Sequence, residues 1–119
     1  MKKEDSELIK FFDWVSWQEK IDPRFKAIYH IANERKTSWI GGKILKSKGV
    51  RSGVPDVCVP IPTKSYPGLY IEFKVKPNKL TSNQSDYCQL LHAMGYAVRI
   101  AWSGEEALGI VKSYLKEEL

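Results

Sequence analysis

Asp56, Glu72 and Lys74 are the residues whose types and spacing could do chemistry. Asp56 opens the apolar run GVPDVCVPI, and sixteen residues later Glu72 and Lys74 flank Phe73 inside LYIEFKV. A strand alternates its side chains, so Leu69, Ile71, Phe73 and Val75 take one face and Tyr70, Glu72 and Lys74 the other. Two acids and a lysine on the polar side of neighbouring strands suit metal-assisted phosphodiester hydrolysis. Mg²⁺ takes oxygen ligands from one or two carboxylates, phosphate and water. It polarises a phosphoryl oxygen and acidifies a bound water. A lysine two residues from a metal-binding glutamate can orient the attacking water and stabilise charge building on the phosphate. The backbone carbonyl of Phe73, between Glu72 and Lys74, could complete the ligand set. The plain alternative is a cross-strand ion pair between Lys74 and Asp56, contributing ~0–1 kcal/mol on an exposed face.

The elements that must position these residues can be read from the periodicity. Residues 6 to 19 make an amphipathic helix, with Ser6 as cap and Leu8, Phe12 and Val15 on one face. Asp22-Pro23 is a helix start, and Phe25, Ile28, Tyr29 and Ala32 give it an apolar stripe ending near Asn33-Glu34. The Gly-, Ser- and Lys-rich segment TSWIGGKILKSKGVRSG is expected to be a loop, with at most a short strand near Trp39-Ile40 or Lys43-Leu45. Residues 57 to 61 and 69 to 75 are strands joined by the turn PTKSYPG. Folding that turn about residue 65 sets residue 56 opposite residue 74, within one register step. A helix over 82 to 94, a strand over 96 to 102 and a helix over 104 to 116 complete the chain. Thr81 with Gln84, and Ser103 with Glu106, have capping-box spacing. The order α, α, β, β, α, β, α implies an α/β fold, a small mixed β-sheet flanked by helices.

A chain of 119 residues suits one domain with one modest core. Its N-terminal helices would span 6–33 and its catalytic core 34–119. No apolar run reaches the roughly 20 residues of a membrane span, and MKKEDSELIK lacks the apolar stretch of a secretory signal. A cytoplasmic setting, with no membrane contact, is expected. Cys58 and Cys88 read as buried free thiols in a reducing compartment. The net charge of +5 points to a polyanionic partner. Residues 24 to 52 concentrate it, with Arg24, Lys26, Arg35, Lys36, Lys43, Lys46, Lys48 and Arg51 against the single acid Glu34. Such a segment is a natural track for a phosphate backbone; the bland reading is a solvated loop.

Pro55-Asp56 followed by Glu72-Phe73-Lys74 resembles the PD-(D/E)xK nuclease superfamily. The wider context is similar to its VRR-NUC branch. The points of likeness are the Gly-Val-Pro-Asp opening, the Glu-x-Lys strand, Leu80-Thr81-x-x-Gln84 at the next helix and Gly95-Tyr96-x-Val98 before the following strand. HIANER, His30 to Arg35, resembles the His-x-x-Asn-Glu segment of small phage and bacterial members. The likeness runs from about residue 28 to the C-terminus. It implies a restriction-endonuclease-like core, Mg²⁺ or Mn²⁺ as the cofactor, no organic cofactor, and cleavage of DNA. Small stand-alone members are similar to homodimeric enzymes that cut branched DNA, including four-way junctions. By the match, Asp56 and Glu72 are metal ligands, Lys74 the catalytic lysine, Glu34 an additional acid from an N-terminal helix, and Gln84 a glutamine near the site.

Glu34 has a rival reading as a solvated helix end beside Arg35 and Lys36. Gln84 has one as the N3 member of the capping box, yet it shares a helical stripe with Tyr87, Leu91 and Met94. His30 is more readily a packed or hydrogen-bonded residue than a ligand. Arg35, Lys36, Lys43, Lys46, Lys48, Arg51 and Lys76 are the candidate DNA contacts. The aromatic-rich first helix, with Phe11, Phe12, Trp14, Val15 and Trp17, could supply a dimer face or simply cover the monomer's own sheet. A non-catalytic DNA-binding module and a protein unrelated to nucleic acid are the competing functions. The second leaves the basic segment unexplained.

Overall fold

β3, Leu69–Phe73, is the strand about which the molecule is built. The computed structural model describes residues 1–32 and 39–119, with the backbone alone for Trp39 and Ile40. The elements are α1 (Lys3–Gln18), a 3-10 turn (Pro23–Ala27), β1 (Tyr29–His30), α2 (Trp39–Ser47), β2 (Val57–Val59), β3, α3 (Ser82–Ala93), β4 (Ala97–Ala101) and α4 (Gly104–Leu115). The sheet runs β1-β2-β3-β4. β1 and β3 each pair antiparallel with β2, and β4 pairs parallel with β3 across the α3 connection. This is a mixed sheet flanked by helices, an α/β fold.

Alternation assigns each face its covering. Leu69, Ile71 and Phe73 are fully buried and share one core with Phe11 and Val15 of α1 and Ala107, Val111 and Tyr114 of α4. The Phe11 and Phe73 rings meet at 5.8 Å. The Tyr114 hydroxyl, carried into that core, donates to the Ile61 carbonyl at 2.6 Å, so its burial leaves no orphaned group there. The opposite face of β3 carries Tyr70, Glu72 and Lys74 and is approached by α3. Of the five α1 residues weighed as a dimer surface, Phe11 and Val15 are core, Phe12 and Trp14 pack against it, and Trp17 remains 66% exposed. The monomer's own sheet therefore uses most of that apolar surface.

Three expectations are corrected. The helix begun by Asp22-Pro23 does start there, with Asp22 accepting from the Arg24 N–H, but it is a 3-10 turn that ends at Ala27. The chain then extends, because Tyr29 and His30 gain ladder partners in Cys58 and Val57. Phe25 and Ile28 are buried all the same. The expected loop contains α2: the good helix formers Lys43 to Lys46 outweigh Gly41 and Gly42, which cost about 1 kcal/mol each. The β2–β3 connection turns about Lys64, with Val57 opposite Ile71, so Asp56 comes beside Glu72 rather than Lys74. A one-residue move of the turn centre shifts the partner by two, which keeps the polar face polar. The helices over 82–93 and 104–115 and the strand over 97–101 fall where the periodicity puts them.

Candidate active site

The strand entry Gly53-Val54-Pro55-Asp56 lies against the first turn of α3. Gly53 has φ +84°, and a Cβ there would stand 2.6 Å from the Asn83 carbonyl carbon and in collision with its oxygen. Only glycine permits that approach. Asn83 Nδ2 donates to Ser52 Oγ at 3.0 Å and closes the same contact. The segment that carries Asp56 is thus tied to the helix that carries Gln84.

Asp56 is 6% exposed. Its backbone N–H donates to the Ile71 carbonyl at 3.1 Å, and its carbonyl accepts from the Ile31 N–H at 2.7 Å. His30 Nδ1 lies 2.8 Å from that same carbonyl. A carbonyl only accepts, so Nδ1 carries the proton; His30 is a hydrogen-bonded residue. The Asp56 carboxylate accepts through Oδ2 from the Phe73 N–H at 2.8 Å. β3 itself therefore fixes the acid, between the two residues that flank Phe73. The Phe73 ring is core.

Glu72 is 1% exposed. Its Oε2 accepts from Gln84 Nε2 at 3.0 Å. Gln84 Oε1 in turn accepts from the Thr81 N–H at 2.9 Å, and Thr81 Oγ1 accepts from the Gln84 N–H at 3.2 Å. The two readings of Gln84 hold together: its carbonyl end closes the capping box and its amide end reaches the acid. The corresponding box at α4 is half made, since Ser103 caps the Glu106 N–H while Glu106 accepts from Trp102. Glu72 Oε1 is buried without a hydrogen-bond partner. Burial above all, then the charge of Asp56, pushes the Glu72 carboxyl up to about 8, against the pull of Lys74. The Lys74 backbone N–H donates to the Ala101 carbonyl at 3.0 Å, and its side chain is half-buried.

Glu4, in the first turn of α1, is a further acid whose charge raises Glu72, the smallest of the influences on it. Nothing local marks it, because it meets β3 only through the tertiary fold. Glu7 one turn on is buried, and its Oε1 accepts from the Gly104 N–H at 3.0 Å, tying α1 to the start of α4. Cys88, one turn after Gln84, has its thiol pushed up by burial and by the Glu72 charge. Both cysteines are free; Cys58 is buried as expected, whereas Cys88 is only half-buried. Lys43 and Lys46 on α2, with Lys48, Arg51 and Lys76, are exposed. Glu34, Arg35 and Lys36 lie outside the described residues.

Among the described residues no three His, Cys, Asp or Glu side chains form a metal-holding group. The Asp56–Glu72 pair is nonetheless a fitting half-shell for a hard cation. Its donors are oxygens, and one of them is buried and unpartnered. No helix among the described residues is long and apolar enough to cross a membrane.

A family profile described as "VRR-NUC domain" matches residues 4–104. A solved structure titled "VRR_NUC domain protein" superposes with a TM-score of 0.79 at 23% identity, covering 98% of this chain and 90% of that one. The comparison with curated proteins gives no match.

Proposed function

The chain belongs to the VRR-NUC family, and on that premise we propose that it is a Mg²⁺- or Mn²⁺-dependent endonuclease cutting branched DNA, four-way junctions included, as a homodimer. The observation that carries this reading is the buried, unpartnered Oε1 of Glu72 beside Asp56 and Lys74. Asp56, Glu72 and the Phe73 carbonyl would hold the ion, with Glu34 as the further acid. When bound, the ion polarises the phosphoryl oxygen and acidifies a water. The protein's own residues supply the rest. The Phe73 N–H fixes Asp56, and Gln84 leaves Glu72 one free oxygen to offer. Lys74, on the same face of β3, orients the attacking water and stabilises charge on the phosphate. Lys43, Lys46, Lys48, Arg51 and Lys76 follow the DNA backbone, joined by Arg35 and Lys36. Two symmetric cuts need two sites, which a two-fold dimer of this single-domain chain presents.

The test compares wild type, Asp56→Asn and Lys74→Ala on labelled four-way junction, flap and linear duplex, with Mg²⁺, Mn²⁺ or EDTA. Metal-dependent nicking of branched DNA is expected, abolished in both variants while binding persists. Cutting in EDTA, or undiminished cutting by the variants, would refute the site. Binding without cutting under either metal would favour a non-catalytic DNA-binding module. A solution mass near 13.7 kDa would refute the dimer.

A further inference from the structure

The sheet face that carries the acids continues into a row of tyrosines. The register aligns Tyr29, Cys58 and Tyr70 across β1, β2 and β3. By alternation this row shares its face with Asp56 and Glu72 and sits two residues, about 7 Å, along the strands from them. Tyr29 is the diagonal neighbour of Asp56, a relation of about 7–8 Å. Cys58, between the two tyrosines, is buried. The two rings then differ in what covers them. Tyr70 is half-buried and meets Tyr96 edge-on at 5.3 Å. Tyr29 stays 52% exposed. An aromatic ring carried on a paired strand and open to solvent, one row from the proposed phosphodiester site, has the geometry of a stacking platform.

We propose that Tyr29 stacks on an unpaired nucleobase of the branched DNA, beside the phosphate at which Asp56, Glu72 and Lys74 act. This deepens the nuclease reading and rests on it. Every base has a π-face, so such a platform selects exposed bases over paired ones without reading their identity. Branch points and flaps offer unstacked bases; linear duplex does not. Tyr29 would thereby set structural preference, while the basic residues supply binding common to all DNA.

The test uses the whole chain in a Lys74→Ala background, so that substrate survives. The probe is a four-way junction carrying 2-aminopurine at branch positions, whose emission falls on stacking. Tyr29→Phe keeps the ring; Tyr29→Val keeps the strand propensity and removes it. Quenching at a branch position is expected with Tyr29 and Tyr29→Phe and is lost in Tyr29→Val. Junction affinity should fall about tenfold in Tyr29→Val and stay within about twofold in Tyr29→Phe, with linear-duplex affinity unchanged. Absent quenching in the Tyr29 protein overturns the proposal without need of any variant. So does an equal loss on junction and duplex, or a Tyr29→Phe loss as large as that of Tyr29→Val. A loss that tracks a fall in oligomer mass overturns it in favour of contact between two copies of the chain. If junction binding persists in this background, and cutting in the protein that keeps Lys74, while Tyr29→Val is indifferent, stacking alone fails. If no variant binds any DNA, the nuclease reading fails with it.

Discussion

Gln84 holds Glu72 with one end of its amide and the Thr81 backbone with the other, and this double use defines what its loss should do. Gln84→Ala removes the partner of a buried carboxylate oxygen and half of the α3 cap together. A destabilisation of about 1–3 kcal/mol is expected from the stranded buried group, read as a lower urea midpoint at unchanged slope. Gln84→Glu keeps the length but sets a third acid against Asp56 and Glu72. It should destabilise the metal-free protein more at pH 8 than at pH 5, measured by thermal melts at the two values. Most of this site could be read from residues alone. Period-two alternation put Glu72 and Lys74 on one face, and the spacing from Thr81 to Gln84 marked the helix start. The charge that Glu4 exerts on Glu72 could not be read, because no local pattern links the first turn of a helix to a strand 68 residues later.

The N-termini of α1 and α4 are locked together by Glu7 and Gly104. Glu7 accepts from the Gly104 N–H, satisfying one of the donors that a helix start leaves open. A Cβ on Gly104 would stand 2.5 Å from the Glu7 backbone oxygen, which cannot swing aside as a side chain can. Gly104→Ala should therefore push α1 outward and carry Glu4, one turn before Glu7, away from Glu72. Glu7→Ala loses a buried cap, a cost of about 0.5–2 kcal/mol; Glu7→Gln keeps an acceptor and should cost less. If the lock also positions Glu4, Gly104→Ala will weaken Mg²⁺ binding in calorimetry, and Glu4→Gln will weaken it without loss of stability. Equal metal affinity in all three proteins would leave the lock a purely structural device. At this scale the sequence misled where tertiary pairing overrode local propensity. The stripe from Phe25 to Ala32 looks helical until β2 offers Tyr29 and His30 ladder partners. The paired glycines of α2 resemble a loop although the lysines and Leu45 around them favour a helix.

For the molecule as a whole, Glu72 sets opposite demands on stability and function. Its carboxyl titrates near 8 in the fold, raised by burial and by Asp56, and near its ordinary value once the chain unfolds. Below about pH 4.5 the proton is bound in both states, and the folded form keeps its full advantage. Between that value and about 8 the unfolded chain releases a proton that the folded chain retains. The metal-free protein should therefore lose stability across this window, at up to about 1.4 kcal/mol per pH unit from this group. Glu72→Gln should flatten that slope, and above pH 8 should be more stable than wild type in EDTA, because a buried charge is replaced by an amide of the same shape. It should also be inactive. On the proposed metal role a divalent cation should reverse the comparison, since it would bind the deprotonated carboxylates. Saturating Mg²⁺ at about a hundred times its dissociation constant should stabilise wild type by about 2.7 kcal/mol, and the shift in melting temperature should be larger at pH 8 than at pH 5.5. Thermal melts of both proteins at the two pH values, with Mg²⁺ or EDTA, decide the matter. A Mg²⁺ shift that survives Glu72→Gln undiminished would place the ion elsewhere. A pH slope that survives it would assign the titration to another group.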